Sequence, residues 1–372
     1  MILLVAGTRP NFMKVAPVHR ALRARGHAVR LLHTGQHFDQ SMSEVFFRDL
    51  GMPSPDVTLV SGGGTHAEQT AAIVVGVERE LVANRPALLV VVGDVTGTLA
   101  AALAASKLAV PIVHVESGLR SRDWTMPEEI NRVLTDQLSD LLLTPSRDAE
   151  PNLLAEGIPK ERIVFVGNVM IDSLLIAAGQ PTGVLSELGL KRAEYALVTL
   201  HRPANVDTQE ALLATLDVIE AIAARLPVLF PVHPRTRTRI VALGLAERLE
   251  RLTAVKLAEP LGYRDFVTAM AGAKLVATDS GGIQEETTAL GIPCLTLRGG
   301  TERPITVTEG TNVVVGLDRF RVGAEVAAIV DGRAKRGKTV EGWDGKTGER
   351  IVDAIERCLA GSPPPKTAGA RA

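Results

Sequence analysis

The sequence is poor in the features that would assign it to several common protein classes. Cys294 and Cys358 are the only cysteines in 372 residues, which is too few for a disulfide framework or a cysteine metal site. The net charge is −1, so there is no global basic field for nucleic acid. No run approaches the ~18 consecutive apolar residues of a membrane span. We expect a soluble cytoplasmic protein that binds neither nucleic acid nor membrane.

Aromatic residues are also scarce, at 3%, although hydrophobic residues make up 46% of the chain. A core built from Val, Leu, Ile and Ala is typical of parallel sheets that helices cover on both faces. The length is too great for one ordinary domain and suits two. The composition therefore favours a two-domain α/β protein.

The first half of the chain alternates strand and helix patterns at the spacing of βα units. Met1–Ala6 is interpreted as a first strand rather than a signal peptide, because no charged region precedes it. Further strands are predicted near 28–34, 87–92, 111–115, 141–143 and 162–166, and helices near 12–25, 65–83, 97–108, 127–139 and 146–156. Gly26 is a candidate helix C-cap. Right-handed crossovers between such strands predict a parallel sheet.

The alternation of strand and helix patterns is interrupted between the two halves of the chain and then resumes. Residues 1–168 are predicted to form an N-terminal α/β domain, 169–194 a linker region and 195–346 a C-terminal α/β domain. Strands of the second domain are predicted near 195–200, 227–232, 254–258, 274–278, 293–297 and 312–315. Residues 361–372 have the composition of a disordered tail.

Two glycine-containing motifs are misleading. Gly332–Thr339 matches the Walker A pattern, but it follows a helical stretch instead of a strand, so we interpret it as a surface connection. Gly62-Gly63-Gly64 lacks the spacing of a dinucleotide fingerprint, so NAD is not implied.

Polar clusters follow the strand patterns in both halves, as in Gly93-Asp94 after ALLVVV and His201-Arg202 after ALVTL. In open parallel sheets, ligands bind beyond the carboxyl ends of the strands. The clusters therefore predict two sheets whose active edges face one cleft, and an enzyme rather than a scaffold.

The segment TDSGGIQEE, residues 278–286, predicts a phosphate site. A strand ends at Thr278 and a helix is predicted to start near Ile283, so free N–H groups and the positive end of the helix dipole would meet there. Glu286, expected in the first turn, could accept hydrogen bonds from a ribose. An ordinary αβ turn is the alternative.

Three acids at strand ends or helix starts, Asp94, Glu116 and Glu128, form the predicted chemical core. Each alone suits capping or a solvated loop, but together they could raise one another's pKa by repulsion and burial. His201 titrates in the same range. His114 is interpreted as structural, and His233 is left open. Arg9 and Lys14 oppose the dipole of the helix they begin, so they either anchor an anionic ligand or are solvated.

Taken together, these motifs resemble the non-hydrolysing UDP-N-acetylglucosamine 2-epimerases. The matching stretches, in family order, are GTRPNFMKVAP, TGQH, GDVTGTLAAALAASK, HVESGLRS, MPEEINRVLTD, GNVMID, TLHRPANVD, PVHPRT, TDSGGIQEE and TERP. The resemblance implies two Rossmann-like, doubly wound domains facing a cleft, as in B-type glycosyltransferases. It also implies a C-terminal helix, residues 347–360, that crosses back to the N-terminal domain, and a homodimer.

The resemblance further implies a set of site residues. Those matching the family's functional positions around the sugar and diphosphate are Arg9, Lys14, Asp94, Glu116, Glu128 and His201. Those matching its nucleotide site are Phe266 near the uracil, Ser280, Gly281 and Gly282 at the phosphates, Glu286 at the ribose, and Arg303. Gln36 and His233 match an allosteric site, where Asp39 replaces a glutamine. Other departures from many members are Asn11 for Glu, Ile305 for Glu, Pro203-Ala204 in place of Arg-Glu, and Leu261 for Gln.

The implied reaction is the reversible C2 epimerisation of UDP-N-acetylglucosamine to UDP-N-acetylmannosamine, through loss and re-addition of UDP. It implies a UDP-sugar substrate and neither a metal nor a redox cofactor. Three alternatives stay open: a hydrolysing epimerase or related UDP-sugar 2-epimerase, a B-type glycosyltransferase, and a non-catalytic sensor, against which the retained acids argue.

Overall fold

The computed structural model describes residues 1–35, 47, 49–61 and 63–361, with the side chain of Arg9 excepted. The chain divides into two compact units. Unit 1 comprises Met1–Ser173 and Glu341–Ala372, and unit 2 comprises Leu174–Val340.

Unit 1 is built on one parallel sheet. Its strands are β1 (Ile2–Ala6), β2 (Val29–His33), β3 (Val57–Thr58), β4 (Leu88–Val92), β5 (Ile112–Val115), β6 (Leu141–Thr144) and β7 (Ile163–Phe165). They lie in the order β3-β2-β1-β4-β5-β6-β7. The chain winds outward from β1 to one edge, crosses to β4, and winds to the other edge. The direction reverses between β1 and β4, which is the switch point where such sheets bind ligands.

The helices associated with this sheet lie between its strands and after β7. They are α1 (Arg9–Ala24), α2 (His66–Ala83), α3 (Thr96–Lys107), α4 (Pro127–Leu138), α5 (Glu150–Ala155) and α6 (Val169–Ala178), and the boundary between the two units falls within α6, after Ser173. All five residues of β4 are buried, as are five alanines of α3. Small side chains on α3 allow it to lie close to its neighbours.

Local sequence explains several helix ends. The Thr65 hydroxyl accepts a hydrogen bond from the Glu68 N–H (3.2 Å), and the Glu68 carboxylate accepts one from the Thr65 N–H (2.7 Å), so α2 begins with a capping box. Gly26, just beyond the end of α1, has φ +79°. This left-handed conformation is the one predicted for a terminating glycine.

Unit 2 is also built on one parallel sheet, which has six strands instead of seven. Its strands are β8 (Ala196–Thr199), β9 (Val228–Pro231), β10 (Val255–Ala258), β11 (Leu275–Thr278), β12 (Cys294–Thr296) and β13 (Asn312–Val314). Their order is β10-β9-β8-β11-β12-β13, and all described strand pairs of both sheets are parallel. The switch point therefore lies between β8 and β11, and the predicted doubly wound parallel sheets are confirmed.

Unit 2 carries the remaining helices before the C-terminal one. They are α7 (Val184–Glu187), α8 (Pro203–Val206), α9 (Gln209–Ala223), α10 (Pro234–Ala242), α11 (Ala246–Glu250), α12 (Tyr263–Gly272), α13 (Gly281–Leu290), α14 (Pro304–Thr308) and α15 (Arg319–Val330). The Walker-like segment follows α15 and has neither a strand before it nor a helix directly after it. Its interpretation as a connection is confirmed.

Two predicted helices differ from those observed. The stretch 146–156 is a 3₁₀ turn, Arg147–Ala149, followed by the short α5. Pro151 explains the division, because proline cannot donate the N–H that would continue a single helix through it. Helix α13 begins at Gly281, two residues before the predicted start. Glu286 consequently lies in the second turn, and its predicted place in the first turn is wrong.

The C-terminal helix α16 (Thr347–Ala360) belongs to unit 1 and packs against α1. The Asp172 carboxylate caps it by accepting hydrogen bonds from the N–H groups of Thr347 (3.1 Å) and Gly348 (2.7 Å). Burial raises the pKa of Asp172, and the two N–H donors only partly offset that effect. Residues 362–372, the predicted tail, lie outside the described residues. Among the helices that are described, none is long and apolar enough to cross a membrane.

Candidate active site

Polar side chains from three strand ends converge at the switch point of unit 1. Gly93, directly after β4, is the centre of this group. A Cβ atom placed on Gly93 would lie 3.2 Å from Glu116 Oε2 and 3.3 Å from Asn11 Nδ2. The same position lies 3.5 Å from Lys14 Nζ. The sheet thus brings together Lys14 and Glu116, two of the predicted site residues, beside the loop that carries Asp94.

Glu116 occupies a strained position at the carboxyl end of β5. Its φ is +71°, a left-handed conformation that is uncommon for a residue with a side chain. Its backbone N–H donates to the Leu143 carbonyl (3.0 Å), and its buried carboxylate accepts a short hydrogen bond from Lys14 Nζ. Strain of this kind persists only where the surroundings enforce it, and it concentrates at functional sites.

Asn11 joins the β1 loop to the end of β4. Its Oδ1 accepts a hydrogen bond from the Gly7 N–H (3.0 Å), and its Nδ2 donates to the Val92 carbonyl (2.8 Å). A glutamate, which many relatives carry here, has no hydrogen to donate to that carbonyl when ionised. The departure noted in the sequence therefore has a definite structural role in this chain.

Asp94 is held by the first half of α4. Its Oδ2 accepts from Arg132 Nε (2.9 Å), and its backbone carbonyl accepts from Asn131 Nδ2 (2.9 Å). The same Arg132 donates through Nη1 to Glu129 Oε2 (2.6 Å). Arg132 therefore orients Asp94 and is itself fixed by a second, buried carboxylate.

Glu129 shapes the loop before α4. Its carboxylate accepts hydrogen bonds from the backbone N–H groups of Ser121 and Arg122, both at 2.8 Å. Burial alone would raise the pKa of Glu129, but these donors and Arg132 outweigh it and lower the pKa. Glu129 is therefore an ionised structural acid, whereas its neighbour Glu128 is exposed.

Two of the three predicted acids lie beside cations. Glu116 is paired with Lys14 and Asp94 with Arg132. The expected raising of the pKa values among Asp94, Glu116 and Glu128 stays a prediction.

Reasoning from sequence missed Glu129, Arg132 and Asp136, which all lie buried on α4. Their spacing of three and then four residues places them on one helix face. That spacing is the signal that could have found them. The exposed face of α4 carries Ile130 and Leu134 instead.

At the switch point of unit 2, a buried aspartate orients His201. Asp279 Oδ1 lies 3.0 Å from His201 Nδ1, and the Asp279 carboxylate also accepts from the N–H of Arg202 (2.9 Å). Burial raises the pKa of Asp279, but the His201 ring and these N–H groups lower it overall. An ionised carboxylate can only accept, so Nδ1 of His201 carries a hydrogen and Nε2 is the ring nitrogen that can act on a ligand. The role of Asp279 was not predicted.

The phosphate segment forms the start of α13. Ser280 is the N-cap, and Gly281 and Gly282 open the helix. A Cβ atom on Gly281 would lie 2.5 Å from Glu302 Oε1, so only glycine fits there. Glu302 is buried and fixed by Arg298 (2.7 Å). The backbone N–H groups at the start of this helix, with its positive dipole end, suit an anionic group.

Glu302 is itself strongly ionised. Burial would raise the pKa of this carboxyl, but the charges of Arg303, Arg298 and Arg202 lower it to about 2. The ionised carboxylate of Glu302 therefore balances part of the positive charge of these arginines.

The remaining predicted nucleotide residues are placed on two helices and a loop of unit 2. Glu286 is buried on α13, and its Oε1 accepts a hydrogen bond from the Tyr263 hydroxyl (3.4 Å). Burial and this carboxylate raise the pKa of Tyr263. Arg303 Nε forms a buried ion pair with Glu285 Oε1 (2.9 Å). Phe266 is half-buried in the first turn of α12.

The two histidines of uncertain role differ in their surroundings. His114 is fully buried, as its structural interpretation requires. The ring of His233 lies 5.6 Å from that of His201, centroid to centroid. Gln36 and Asp39 lie outside the described residues. Within the described part of the chain, no group of three or more His, Cys, Asp or Glu side chains is arranged to hold a metal ion.

Two doubly wound units, one with charged strand-end residues and one with a glycine-rich helix start, define an enzyme of the B-type glycosyltransferase fold. The family model of UDP-N-acetylglucosamine 2-epimerase matches residues 20–356. The UDP-N-acetylglucosamine 2-epimerase of Methanocaldococcus jannaschii is 39% identical, over 94% of this chain and 97% of that protein. The chain belongs to the UDP-N-acetylglucosamine 2-epimerase family, and the resemblance seen in its motifs is confirmed.

A solved structure of the same relative and one further relative are also similar to this chain. The crystal structure of the Methanocaldococcus jannaschii enzyme in complex with UDP-GlcNAc and UDP matches with a TM-score of 0.88 and 39% identity, covering 96% of this chain and 99% of that one. The UDP-2,3-diacetamido-2,3-dideoxy-D-glucuronate 2-epimerase of Pseudomonas aeruginosa is 42% identical, over 91% of this chain and 93% of that protein.

Proposed function

We propose that this protein catalyses the reversible C2 epimerisation of UDP-N-acetylglucosamine to UDP-N-acetylmannosamine without hydrolysis. The observation that carries the proposal is Glu116, a buried carboxylate held in left-handed backbone at the switch point of unit 1 and paired with Lys14. Family membership supplies the substrate class.

The chemistry explains why acids and an anion site are both needed. C2 of the sugar is not adjacent to a carbonyl, so its proton is not acidic. Departure of UDP from C1 creates positive charge at C1 and makes the C2 proton acidic. Loss of that proton gives 2-acetamidoglucal, and UDP adds again after a proton is returned to the opposite face. The reaction needs proton transfer on two faces and stabilisation of the leaving diphosphate.

Unit 1 would provide the proton transfers. We assign these to Glu116 and Asp94, which the sheet presents from adjacent strand ends. Lys14 donates a hydrogen bond to Glu116 and holds it in place, and Arg132 orients Asp94. Glu128, exposed at the start of α4, and Arg9 complete the proposed sugar and diphosphate contacts by their match to the family motif.

Unit 2 would hold the UDP. The N–H groups at Ser280, Gly281 and Gly282 are assigned to the diphosphate, whose negative charge the helix dipole stabilises. His201, oriented by Asp279, is assigned to the leaving phosphate oxygen. Glu286, Phe266 and Arg303 are assigned to the ribose, the uracil and the phosphate side, respectively. None of these steps requires a metal or a redox cofactor.

The test is incubation of the purified protein with UDP-N-acetylglucosamine in deuterated water, followed by proton NMR. We expect deuterium at C2 and accumulation of UDP-N-acetylmannosamine. Free N-acetylmannosamine in equal amount to UDP would instead identify a hydrolysing epimerase. Absence of both exchange and free sugar would refute the proposal.

A second candidate substrate is UDP-2,3-diacetamido-2,3-dideoxy-D-glucuronate. The relative named for that substrate is 42% identical to this chain, against 39% for the Methanocaldococcus jannaschii enzyme. The same NMR assay with both substrates at equal concentration decides between them by the ratio of kcat/KM. A ratio above one for the glucuronate would reassign the substrate and leave the reaction type unchanged.

The expected homodimer is also a proposal. The exposed apolar side chains of α4 support it, since Ile130 and Leu134 are 39% and 45% exposed while Glu129, Arg132 and Asp136 of the same helix are buried. Sedimentation of the wild type and of Leu134→Glu tests it. A wild type that sediments as a monomer would exclude the dimer.

A further inference from the structure

A fully buried pair of side chains lies beneath the loops of the proposed sugar site. His114 Nδ1 lies 2.6 Å from Asp136 Oδ1, and both side chains have no solvent exposure. His114 is on β5, two residues before Glu116, and Asp136 is on α4. Neither residue has a part in the reaction proposed above.

The histidine holds the loop of Asp94. His114 Nε2 lies 2.8 Å from the Gly93 carbonyl. A carbonyl can only accept, so Nε2 carries a hydrogen and donates it. Gly93 has φ +69° and directly precedes Asp94. The orientation of the Asp94 backbone is therefore tied to the His114 ring.

The aspartate holds the loop of Glu116. Asp136 Oδ2 accepts hydrogen bonds from the Gly118 N–H (3.1 Å) and from Arg120 Nη2 (2.7 Å). Gly118, at φ +82°, lies two residues after Glu116. Arg120 is fixed in turn by Glu156, which accepts from its Nε (2.7 Å) and Nη2 (2.6 Å).

One carboxylate therefore connects both loops. Its Oδ1 reaches the Gly93 carbonyl through the His114 ring, and its Oδ2 binds the Gly118 amide directly. Between the two glycines, Glu116 has left-handed backbone, and this conformation needs support from its surroundings in a residue with a side chain.

We propose that Asp136 is a positioning residue that fixes the Asp94 loop relative to the Glu116 loop through His114 and the Gly118 amide. The proposal rests on the proposed function, in which Asp94 and Glu116 transfer the protons. Two carboxylates that act on opposite faces of one carbon need a defined separation, and displacement by about 1 Å can cost roughly 10²-fold in rate.

Three variants of α4 test the role. Asp136→Ala removes both links. Asp136→Asn keeps the shape, and its carboxamide can accept from Gly118 while donating to a neutral His114. Thr135→Val is the matched control, because Thr135 is the preceding residue, is fully buried, and has an Oγ1 without a hydrogen-bond partner.

For C2 exchange we expect Asp136→Ala to lower kcat by roughly 10- to 100-fold with little change in KM. Asp136→Asn should fall between Asp136→Ala and the wild type, and Thr135→Val should match the wild type. An Asp136→Ala enzyme with wild-type kcat would overturn the proposal.

A double-mutant cycle separates positioning from general damage. If Asp136 acts through Asp94, then Asp136→Ala should cost much less in an Asp94→Asn background than in the wild type. Equal costs in the two backgrounds would show that Asp136 acts independently of Asp94 and would contradict the proposal.

Hydrogen–deuterium exchange of backbone amides provides a readout that does not depend on activity. In Asp136→Ala and Asp136→Asn, peptides covering residues 92–96 and 114–120 should exchange faster than in Thr135→Val, with the largest change in Asp136→Ala. Faster exchange spread evenly through unit 1 would indicate loss of stability and overturn the proposal. If the wild type shows no C2 exchange, the proposed function fails, and this measurement still decides whether Asp136 fixes the two loops.

Discussion

The two units share a strand order and a switch point, but they place different chemistry there. In unit 1 the switch point carries charged side chains in ion pairs, Lys14 with Glu116 and Asp94 with Arg132. In unit 2 it carries a glycine-rich helix start and a single imidazole held by a buried aspartate. The first arrangement suits proton transfer, and the second suits binding of an anion by backbone N–H groups.

The comparison teaches that the sheet determines the position of a site, whereas the few residues after each strand determine its chemistry. Glu116 in unit 1 and Asp279 in unit 2 both follow central strands and are both buried. Glu116 lies against a lysine beside other polar groups, whereas Asp279 is enclosed by donors that all belong to its own unit. The four predictions below test this division of work, first on activity and UDP binding and then on stability, with the larger effect first in each pair.

The largest effect is expected from neutralising the acids of unit 1. Glu116→Gln and Asp94→Asn should each lower the rate of C2 exchange by ~10²-fold or more, the scale of proton-transfer groups, and Glu128→Gln should lower it through loss of its proposed substrate contact. UDP affinity, measured by calorimetry, should stay unchanged, because unit 2 is proposed to hold the nucleotide. Glu161→Gln, at an exposed acid of unit 1, is the control. Near-normal turnover in all three variants would make the acids structural.

Gly281→Ala should instead weaken UDP binding. The new Cβ would lie 2.5 Å from Glu302 Oε1, so the helix start or the fixed carboxylate must move. Overpacking of this kind costs ~1–3 kcal/mol, and we expect UDP affinity to fall about tenfold by calorimetry. Gly300→Ala, whose Cβ would meet nothing within 4 Å, is the control. If Gly281→Ala and Gly300→Ala bound UDP with equal affinity, the diphosphate would not bind at Gly281.

Glu302 should make the stability of unit 2 sensitive to acid. Its pKa falls from 4.5 to about 2 on folding, so the folded chain binds this proton more weakly than the unfolded chain. The stabilisation is fully present above pH 4.5 and is lost as the pH falls toward about 2. Its size is on the order of 3 kcal/mol. Urea unfolding of Glu302→Gln should show reduced stability at neutral pH and a flatter pH dependence in that window. A pH profile parallel to that of the wild type would contradict the role of Glu302.

The smallest effect is expected at an exposed ion pair of unit 1. Arg147 and Glu341 lie 2.9 Å apart, with side chains 56% and 63% exposed. The arginine lowers the pKa of Glu341, but solvent screens such pairs. Glu341→Gln should leave the midpoint of thermal unfolding unchanged within error. A clear shift would show that exposed pairs contribute as much as the buried ones near the proposed site.

Much of the fold could be predicted, because the spacing of apolar residues and the local composition indicate where strands and helices form. Strands such as Leu88–Val92 are continuous apolar runs between turn residues, and their alternation with helices requires parallel pairing. The start of α13 was placed two residues late because Gly281 and Gly282 are poor helix formers. There the helix is fixed by tertiary contacts, which outweigh local propensity.

The site could be predicted only in part. The motif set predicted Lys14, Glu116, Asp94 and His201 as site residues, and these follow strands or begin helices. Their partners Arg132 and Asp279 emerged only from the structure, because a partner is defined by distance in space and not by position in the chain. The left-handed backbone of Glu116 has no signature in a single sequence either, since nothing in its residue type indicates φ +71°.

The central claim is that unit 1 acts on a sugar from which the UDP held by unit 2 has departed. The most direct test is UDP-N-acetylglucosamine that carries a heavy oxygen isotope in the bridge between C1 and the β-phosphorus. Breaking the C1–O bond makes that oxygen equivalent to the other β-phosphate oxygens. We predict that the label moves from the bridge into non-bridging positions, seen by phosphorus NMR, while deuterium enters C2 from the solvent. Exchange at C2 with the label still wholly in the bridge would contradict the account, because a β-phosphate that is freed from C1 and rotates before UDP adds again must scramble the label.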